Sequence, residues 1–459
     1  MSITLLAPEL LRQILSHLGE GDYSRASLVC RDWLLPCREL YWGHINLYLG
    51  GHVPEKFPPV LRNKNTTIPR HLGGIVIDES DEIDDRDEKE AVAWYEGVSA
   101  VLDHFNSISS VTIRYLDLKE FQERVRGKIL RPGIVKETLV IQRLIADKPS
   151  DVVPFILGSP SLKFLGLGEV SFSDENTEAA HVEQYTVEPI KLAGLGHLAI
   201  FGESKGTWSE LVPRLMQQAP LESLKTLVVA CQDNKVVAGL IKKAELSLRS
   251  LALGFKSEGS VFDLANAKLL QNLSIDLTSY PKTEILLSDL VQTVSSVSKL
   301  ERIFINCGPS TVKPTVDNEN DRRLWGALDL RLSQLPGLEK VTFTMVIDRS
   351  VGMFLGFAHG RMKDMLEKWK DDVLQYALAK LPSCRERDLI QVVQVFGSWT
   401  EDHVLEEPKP TLEVMVILHI PGFKYCDAPR VRPRSASPRQ RELPEVLRFA
   451  KQKEGITRD

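Results

Sequence analysis

One short phrase returns through the middle of the chain, and it restricts the fold more than any other feature. Between residues 109 and 347 it reads Ser161-Leu-Lys-Phe-Leu-Gly-Leu, His197-Leu-Ala-Ile-Phe, Leu224-Lys-Thr-Leu-Val-Val, Leu248-Arg-Ser-Leu-Ala-Leu, Leu270-Gln-Asn-Leu-Ser-Ile, Leu300-Glu-Arg-Ile-Phe-Ile and Leu338-Glu-Lys-Val-Thr-Phe. Each is L-x-x-L-x-L or a close variant, and the leading leucines at 224, 248, 270 and 300 lie 24, 22 and 30 residues apart. Self-similarity at such a period marks a stack of supersecondary units, none of which can bury its apolar face alone. The alternating L-x-L portion suits a short strand with one side in the core. Amphipathic stretches between the phrases, such as Trp208–Ala219 and Lys235–Lys243, provide a helix per unit. Repeated in this way, strand, turn and helix are expected to stack into an irregular α/β solenoid whose strands line a concave face. Lys163, Lys225, Arg249, Gln271 and Glu301, one per unit, would form the contact surface of that face. Ser109–Leu118 and Val135–Leu144 read as earlier strands, and Glu386–Phe396 and Thr411–Leu418 as the last ones. A compact doubly wound α/β domain shares the strand–helix alternation and stands as the alternative.

The N-terminal segment Leu5–Ile45 has a different rhythm. Leu10, Leu11, Ile14, Leu15 and Leu18 repeat at helical spacing after Pro8 and Glu9, which favour helix initiation. Gly19-Glu20-Gly21-Asp22 ends that helix, and Ala26, Val29, Cys30 and Trp33 form a second apolar stripe at i, i+3, i+4, i+7. About forty residues are too few for two such helices to bury their faces against each other alone. The unit needs a partner, either the rest of the chain or another protein.

These residues resemble an F-box. The order Leu6, Pro8, Glu9-Leu10-Leu11, Ile14-Leu15-Ser16, Leu18, then Ala26-Ser27-Leu28-Val29-Cys30-Arg31-Asp32-Trp33 is similar to the family pattern, with Ala7 at the usual proline position. The repeat intervals fall near the leucine-rich-repeat period, and an F-box followed by leucine-rich repeats is a known family combination. The resemblance implies an α/β chain: an all-α F-box over 1–46, a leucine-rich-repeat-like solenoid over 47–425, and a Pro/Ser/Arg-rich tail over 426–459. It further implies a substrate-recognition adaptor of an SCF ubiquitin ligase, docking Skp1 and through it a cullin–RING assembly. The Skp1-facing residues would be Leu6, Pro8, Leu10, Leu11, Ile14, Leu15, Leu18, Val29, Cys30 and Trp33. A protein-interaction scaffold without ubiquitin transfer remains the alternative.

Bulk properties fit a binding protein. Over 459 residues a net charge of −5 gives no whole-molecule attraction to nucleic acid or anionic membrane. No signal peptide is expected, since Pro8, Glu9, Arg12 and Gln13 interrupt the first apolar run, and no stretch reaches the ~18–20 apolar residues of a membrane span. Six cysteines without CxxC spacing argue for reduced thiols, hence a cytoplasmic or nuclear protein without a metal site or cofactor. The run Asp78–Glu90 reads as a solvated acidic loop, residues 351–381 as a helix with a core stripe through Met362, Met365, Leu366, Trp369, Val373 and Leu374, and Asp427–Arg441 as disordered.

One constellation offers catalysis. Gly202-Glu-Ser204-Lys-Gly206 matches G-x-S-x-G after the apolar strand Leu198–Phe201, with His403 or His419 as a base in the required order. This gives a remote serine-hydrolase reading. Against it, Trp208 stands where the helix after such an elbow needs small side chains, and a chain this long produces the motif by chance roughly one time in ten. Gly166-Leu-Gly168 lacks the third glycine of a dinucleotide fingerprint. The chain is therefore expected not to be an enzyme.

Overall fold

The computed structural model describes residues 8–15, 25–41, 44–48, 73–79, 88–118, 131–172, 192–202, 211–217, 221–231, 234–254, 262–276, 283–307, 319–348 and 359–397, apart from single positions at 132, 148, 193, 214 and 298. Ser204, His403, His419, Thr411–Leu418 and the 426–459 tail lie outside the described residues.

The chain opens with two helices, α1 (Pro8–Leu15) and α2 (Arg31–Tyr41), and then joins the sheet at β1 (His44–Tyr48). The first half of the sheet region holds β2 (Gly74–Asp78), α3 (Glu88–Leu102), β3 (Ile108–Asp117), β4 (Val135–Ala146), α4 (Pro149–Leu157), β5 (Phe164–Gly168), β6 (Ser171–Phe172) and β7 (His197–Gly202). The second half continues with β8 (Thr226–Cys231), α5 (Asn234–Ala244), β9 (Ser250–Gly254), β10 (Asn272–Asp276), α6 (Thr283–Ser295), β11 (Arg302–Cys307) and α7 (Glu319–Gln334). It ends with β12 (Lys340–Asp348), α8 (His359–Lys380), α9 (Pro382–Glu386) and β13 (Ile390–Gly397).

Among the described residues all thirteen strands belong to one sheet, and their order in space follows their order in the chain, with the two-residue β6 off the path beside β4. Every pairing among the described residues is parallel. Right-handed crossovers in an order that never reverses put every connection on the same side of the sheet. A doubly wound domain needs a reversal, so the compact alternative is not the architecture.

The register explains the repeat phrase. Leu165, Leu198, Leu227, Leu251, Leu273, Ile303 and Val341 are successive partners across the sheet, and so are Leu167, Ile200, Val229, Leu253, Ile275, Ile305 and Phe343. Both rows are buried in one core with helix residues such as Val237, Leu240, Leu328 and Leu332. The leading leucines Leu162, Leu224, Leu248, Leu270, Leu300 and Leu338 are buried two residues ahead of each strand's first paired residue, and Leu195 takes that place before His197. Strand alternation turns Gly166, Ala199, Val228, Ala252, Ser274, Phe304 and Thr342, another register row, to the opposite face.

Four sequence expectations are corrected. Lys163, Lys225, Arg249, Gln271 and Glu301 lie not on that opposite face but immediately before their strands. Arg249 N donates to Lys225 O (2.9 Å), Gln271 N to Arg249 O (2.8 Å) and Glu301 N to Gln271 O (2.8 Å), so they form a ladder along the N-terminal rim. Arg249 shares the parity of Leu251 and Leu253, and the one-residue offset exchanges the faces. Secondly, the acidic run does not begin as a loop. Asp78 ends β2 and is 4% exposed, with Arg114 at 4.0 Å. Glu79 is 2% exposed, accepting from the Tyr95 hydroxyl and, at 3.2 Å, from Asp117 N. Those partners lie far along the chain, so a local charge count cannot find them; Glu88 already begins α3. Thirdly, the last described strand starts at Ile390 rather than Glu386, because α9 and a turn intervene. Finally, β1 pairs with β2 from His44 onward, so the sheet begins inside the segment read as 1–46.

Two further devices hold the sheet region. Tyr115, Arg143 and Glu169 follow the paired residues Arg114, Gln142 and Gly168, and all three have positive φ (53°, 51° and 47°). Such residues cost of order 1–3 kcal/mol each unless neighbours hold them. Here the Arg143 guanidinium lies 5.0 Å from the Tyr115 ring centroid and its Nε is 2.6 Å from Glu169 Oε2. At the other end, the buried Asp329 of α7 accepts from Ser383 N (2.8 Å) and Cys384 N (2.9 Å), capping α9 from a distance of more than fifty residues in sequence. Of the expected stripe, Val373 of α8 is buried and Trp369 packs beside it, joined by Ala377 and Tyr376; the side chains of Met362, Met365 and Leu366 lie outside the described residues.

Candidate protein-docking site

The N-terminal helices have their own small core. Leu11 (5% exposed) and Leu15 (buried) of α1 meet Ala26 and Cys37, with Trp33 packed against them. None of these side chains belongs to the core beneath the sheet. Burial, and secondarily the neighbouring Cys30, push the Cys37 thiol above its ordinary range.

The apolar arc of α1 is two stripes wide, and the small core takes only one. Leu10 and Ile14, about 100° around the helix from Leu11 and Leu15, stay 51% and 47% exposed. Backbone bonds from Leu28 N to Arg25 O and from Val29 N to Ala26 O, both 3.1 Å, close a turn before α2. That turn sends Ala26 inward and leaves Leu28 84% and Val29 61% exposed; on α2, Leu35 is 55% exposed. Among the described residues the remaining large exposed hydrophobics, Ile145, Leu246, Leu269 and Leu330, are scattered over the sheet region. Apolar exposure concentrated in so short a segment marks an interaction surface, whereas single exposed side chains mark nothing.

The ten residues read from the sequence thus divide. Leu10, Ile14 and Val29 face outward, Leu11 and Leu15 hold the helices together, Trp33 packs against them, and Cys30 is half-buried. Pro8 begins α1, while Leu6 and Leu18 lie outside the described residues. Sequence reasoning missed Leu28 and Leu35. Their seven-residue spacing was a visible signal, two turns apart in a continuous helix, but the turn before α2 obscures it.

Among the described residues no group of three or more His, Cys, Asp or Glu side chains is placed to hold a metal ion, and no helix is long and apolar enough to cross a membrane. His197, at the start of β7, has a buried Nδ1 without a partner. Burial, aided by the Lys225 ammonium, holds its imidazole below the ordinary histidine value.

A helix pair with its own minimal core and five outward aliphatic side chains, Leu10, Ile14, Leu28, Val29 and Leu35, defines a protein-interaction module. A family profile for the F-box domain matches residues 3–34, so the N-terminal segment carries an F-box. F-box domains typically bind Skp1 in cullin–RING ligases. No curated protein matches the chain.

Proposed function

We propose that this chain is the substrate-recognition adaptor of an SCF ubiquitin ligase, with its F-box docked on Skp1 and its repeat region holding a protein substrate. The observation that carries the reading is the exposure of Leu10, Ile14, Leu28, Val29 and Leu35 on helices whose other apolar side chains are already used internally. Leu6, Pro8 and Leu18 complete the docking set, while Leu11, Leu15 and Trp33 act by holding the exposed side chains in place. The chain-ordered parallel sheet with buried leucines at each strand supports reading residues 47–425 as an irregular leucine-rich-repeat-like solenoid.

Such an adaptor breaks and makes no bonds. It raises the effective concentration of a target lysine near a charged conjugating enzyme, a gain of proximity rather than of acid–base chemistry. The working compartment is the cytoplasm, the nucleus or both. Proximity labelling from the full-length chain under proteasome inhibition tests the reading. Substrates should accumulate, and a chain lacking residues 1–41, which leaves β1 whole, should still capture them but protect them from turnover. Equal turnover with and without those residues refutes it.

A further inference from the structure

The ladder along the N-terminal rim runs from Lys163 through Gly196, Lys225, Arg249 and Gln271 to Glu301, each amide donating to the carbonyl of the rung before it. Successive rungs come from neighbouring strands, so their backbones are about 4.8 Å apart and their side chains can meet. Charges on this rim are otherwise matched. Lys163 Nζ lies 2.7 Å from Glu137 Oε1, and the Gln271 amide donates to Glu301 Oε1 (3.0 Å). One residue into the strand, Arg302 Nε lies 3.9 Å from Glu339 Oε2. The like-charged neighbours Glu301 and Glu339 thus each have a partner from the strand before.

Lys225 and Arg249 break this pattern. They are adjacent rungs of like charge and both are exposed, yet among the described residues neither side chain has a hydrogen bond or an ion pair. The rung on the β7 side of them is Gly196, which brings no carboxylate. Glu222 and Glu245, on the turns into β8 and β9, form no ion pair with either, and Lys242 and Lys243 in the last turn of α5 keep the local charge positive. Leu246, 76% exposed, precedes Arg249 by three residues, so an aliphatic contact stands beside the cations.

Like charges facing each other across neighbouring strands cost stability, and a bound anion converts that cost into attraction. The Arg249 guanidinium can take a carboxylate through two parallel hydrogen bonds, and the Lys225 ammonium acts as a point charge beside it. The net charge of −5 disfavours a long polyanion such as nucleic acid, which senses the whole molecule. A short acidic segment senses only the patch, because salt screens charges beyond about 8 Å.

We propose that the rim over β8 and β9, with Lys225 and Arg249 as its charges and Leu246 as its apolar contact, binds an acidic segment of the substrate protein. This rests on the adaptor reading and names the substrate feature that is held: two closely spaced Asp or Glu side chains next to an aliphatic one. The surface is open, so the segment docks without rearrangement of the chain, and its association is fast and salt-sensitive.

The test uses the purified full-length chain and a library of short random peptides displayed on phage. Enriched peptides should be rich in Asp and Glu. They are synthesised with a fluorescent label and titrated against the wild-type chain, Lys225→Glu, Arg249→Glu and, as a control, Lys368→Glu at an exposed position of α8. Roughly tenfold or more weaker binding is expected for each rim variant and no change for the control. A copy of the peptide with Lys at every Asp and Glu should bind the Lys225→Glu, Arg249→Glu double variant at least about tenfold more tightly than the wild type, as direct charge pairing requires. Lys225→Glu should leave the melting temperature unchanged or raise it, because it replaces a like-charged pair by an opposite one. Absence of enriched peptides, enrichment without excess acid, equal affinity for the rim variants, or an equal loss with Lys368→Glu overturns the proposal. So does a clear fall in melting temperature for Lys225→Glu, which would make the lysine part of the fold. Equally tight binding of a single-stranded oligonucleotide of the same charge also overturns it, because the rim would then be a general polyanion site. Skp1 binding is measured on the same samples. Retained Skp1 binding without peptide binding sinks this inference alone, and the converse sinks the adaptor reading alone.

Discussion

Replacing Leu10 and Ile14 together by alanine should separate docking from folding, and the structure sets the size of the effect. Full burial of such a side chain is worth ~1.5–3 kcal/mol. Leu10 and Ile14 are 51% and 47% exposed in the free chain, so about half of that gain remains to be made on docking. The pair should then contribute roughly 1.5–3 kcal/mol, which weakens Skp1 binding about ten- to hundredfold. The helices should survive, because neither residue is in their core. Leu11→Ala or Leu15→Ala should behave in the opposite way. Each removes a side chain at most 5% exposed, typically costing ~2–5 kcal/mol, from a core of four buried residues that cannot absorb the loss. Calorimetric titration of Skp1 into the full-length variants, with circular dichroism of the same samples, reads both quantities. The reasoning fails if Leu10→Ala, Ile14→Ala binds Skp1 undiminished, or if it loses as much helix as the Leu11 and Leu15 variants.

Three further outcomes follow from the sheet region. Asp329→Ala leaves the amides of Ser383 and Cys384 without their carboxylate, and urea unfolding should show a loss of about 2–4 kcal/mol; a change under 0.5 kcal/mol would mean that α9 does not depend on this cap. The Cys384 thiol is pushed up to about 12 by burial and by the adjacent Asp329, against a smaller opposing effect of Arg387. Its contribution to stability should be complete below about pH 9 and lost as pH rises toward 12, and native protein at pH 8 should resist alkylation at this site, whereas rapid labelling there would contradict the assignment. His197, held low by burial and Lys225, should titrate below the ordinary histidine value by NMR, and Lys225→Met should move it part of the way back; an unmoved resonance would exclude the lysine as a cause.

The repeating core was legible because burial repeats with the phrase: Leu224, Leu248, Leu270 and Leu300 recur where the register needs them. Leu195 is not, because the phrase in that unit starts at His197 and the leucine two residues earlier stands outside the L-x-x-L-x-L pattern. Face assignment failed by one residue at Lys163, Lys225 and Arg249, because a hexapeptide pattern does not say where the strand's first paired residue falls. Asp78 and Glu79 looked solvated for a different reason: Arg114, Tyr95 and Asp117, which neutralise or bond them, come from other elements. In the N-terminal helices the helical period identified the apolar residues, but only packing decides which of two adjacent stripes is used inside. Leu11 and Leu15 were indistinguishable in sequence from Leu10 and Ile14.

The central claim is that this chain joins a substrate to a cullin through Skp1, and co-elution tests it most directly. Full-length chain mixed with purified Skp1 and the Skp1-binding part of a cullin, at on the order of 10 µM each, should run as one stoichiometric ternary complex on size exclusion with light scattering. The same mixture with Leu10→Ala, Ile14→Ala should lose the chain from that peak. Separate elution of the wild-type chain from Skp1 would contradict the account.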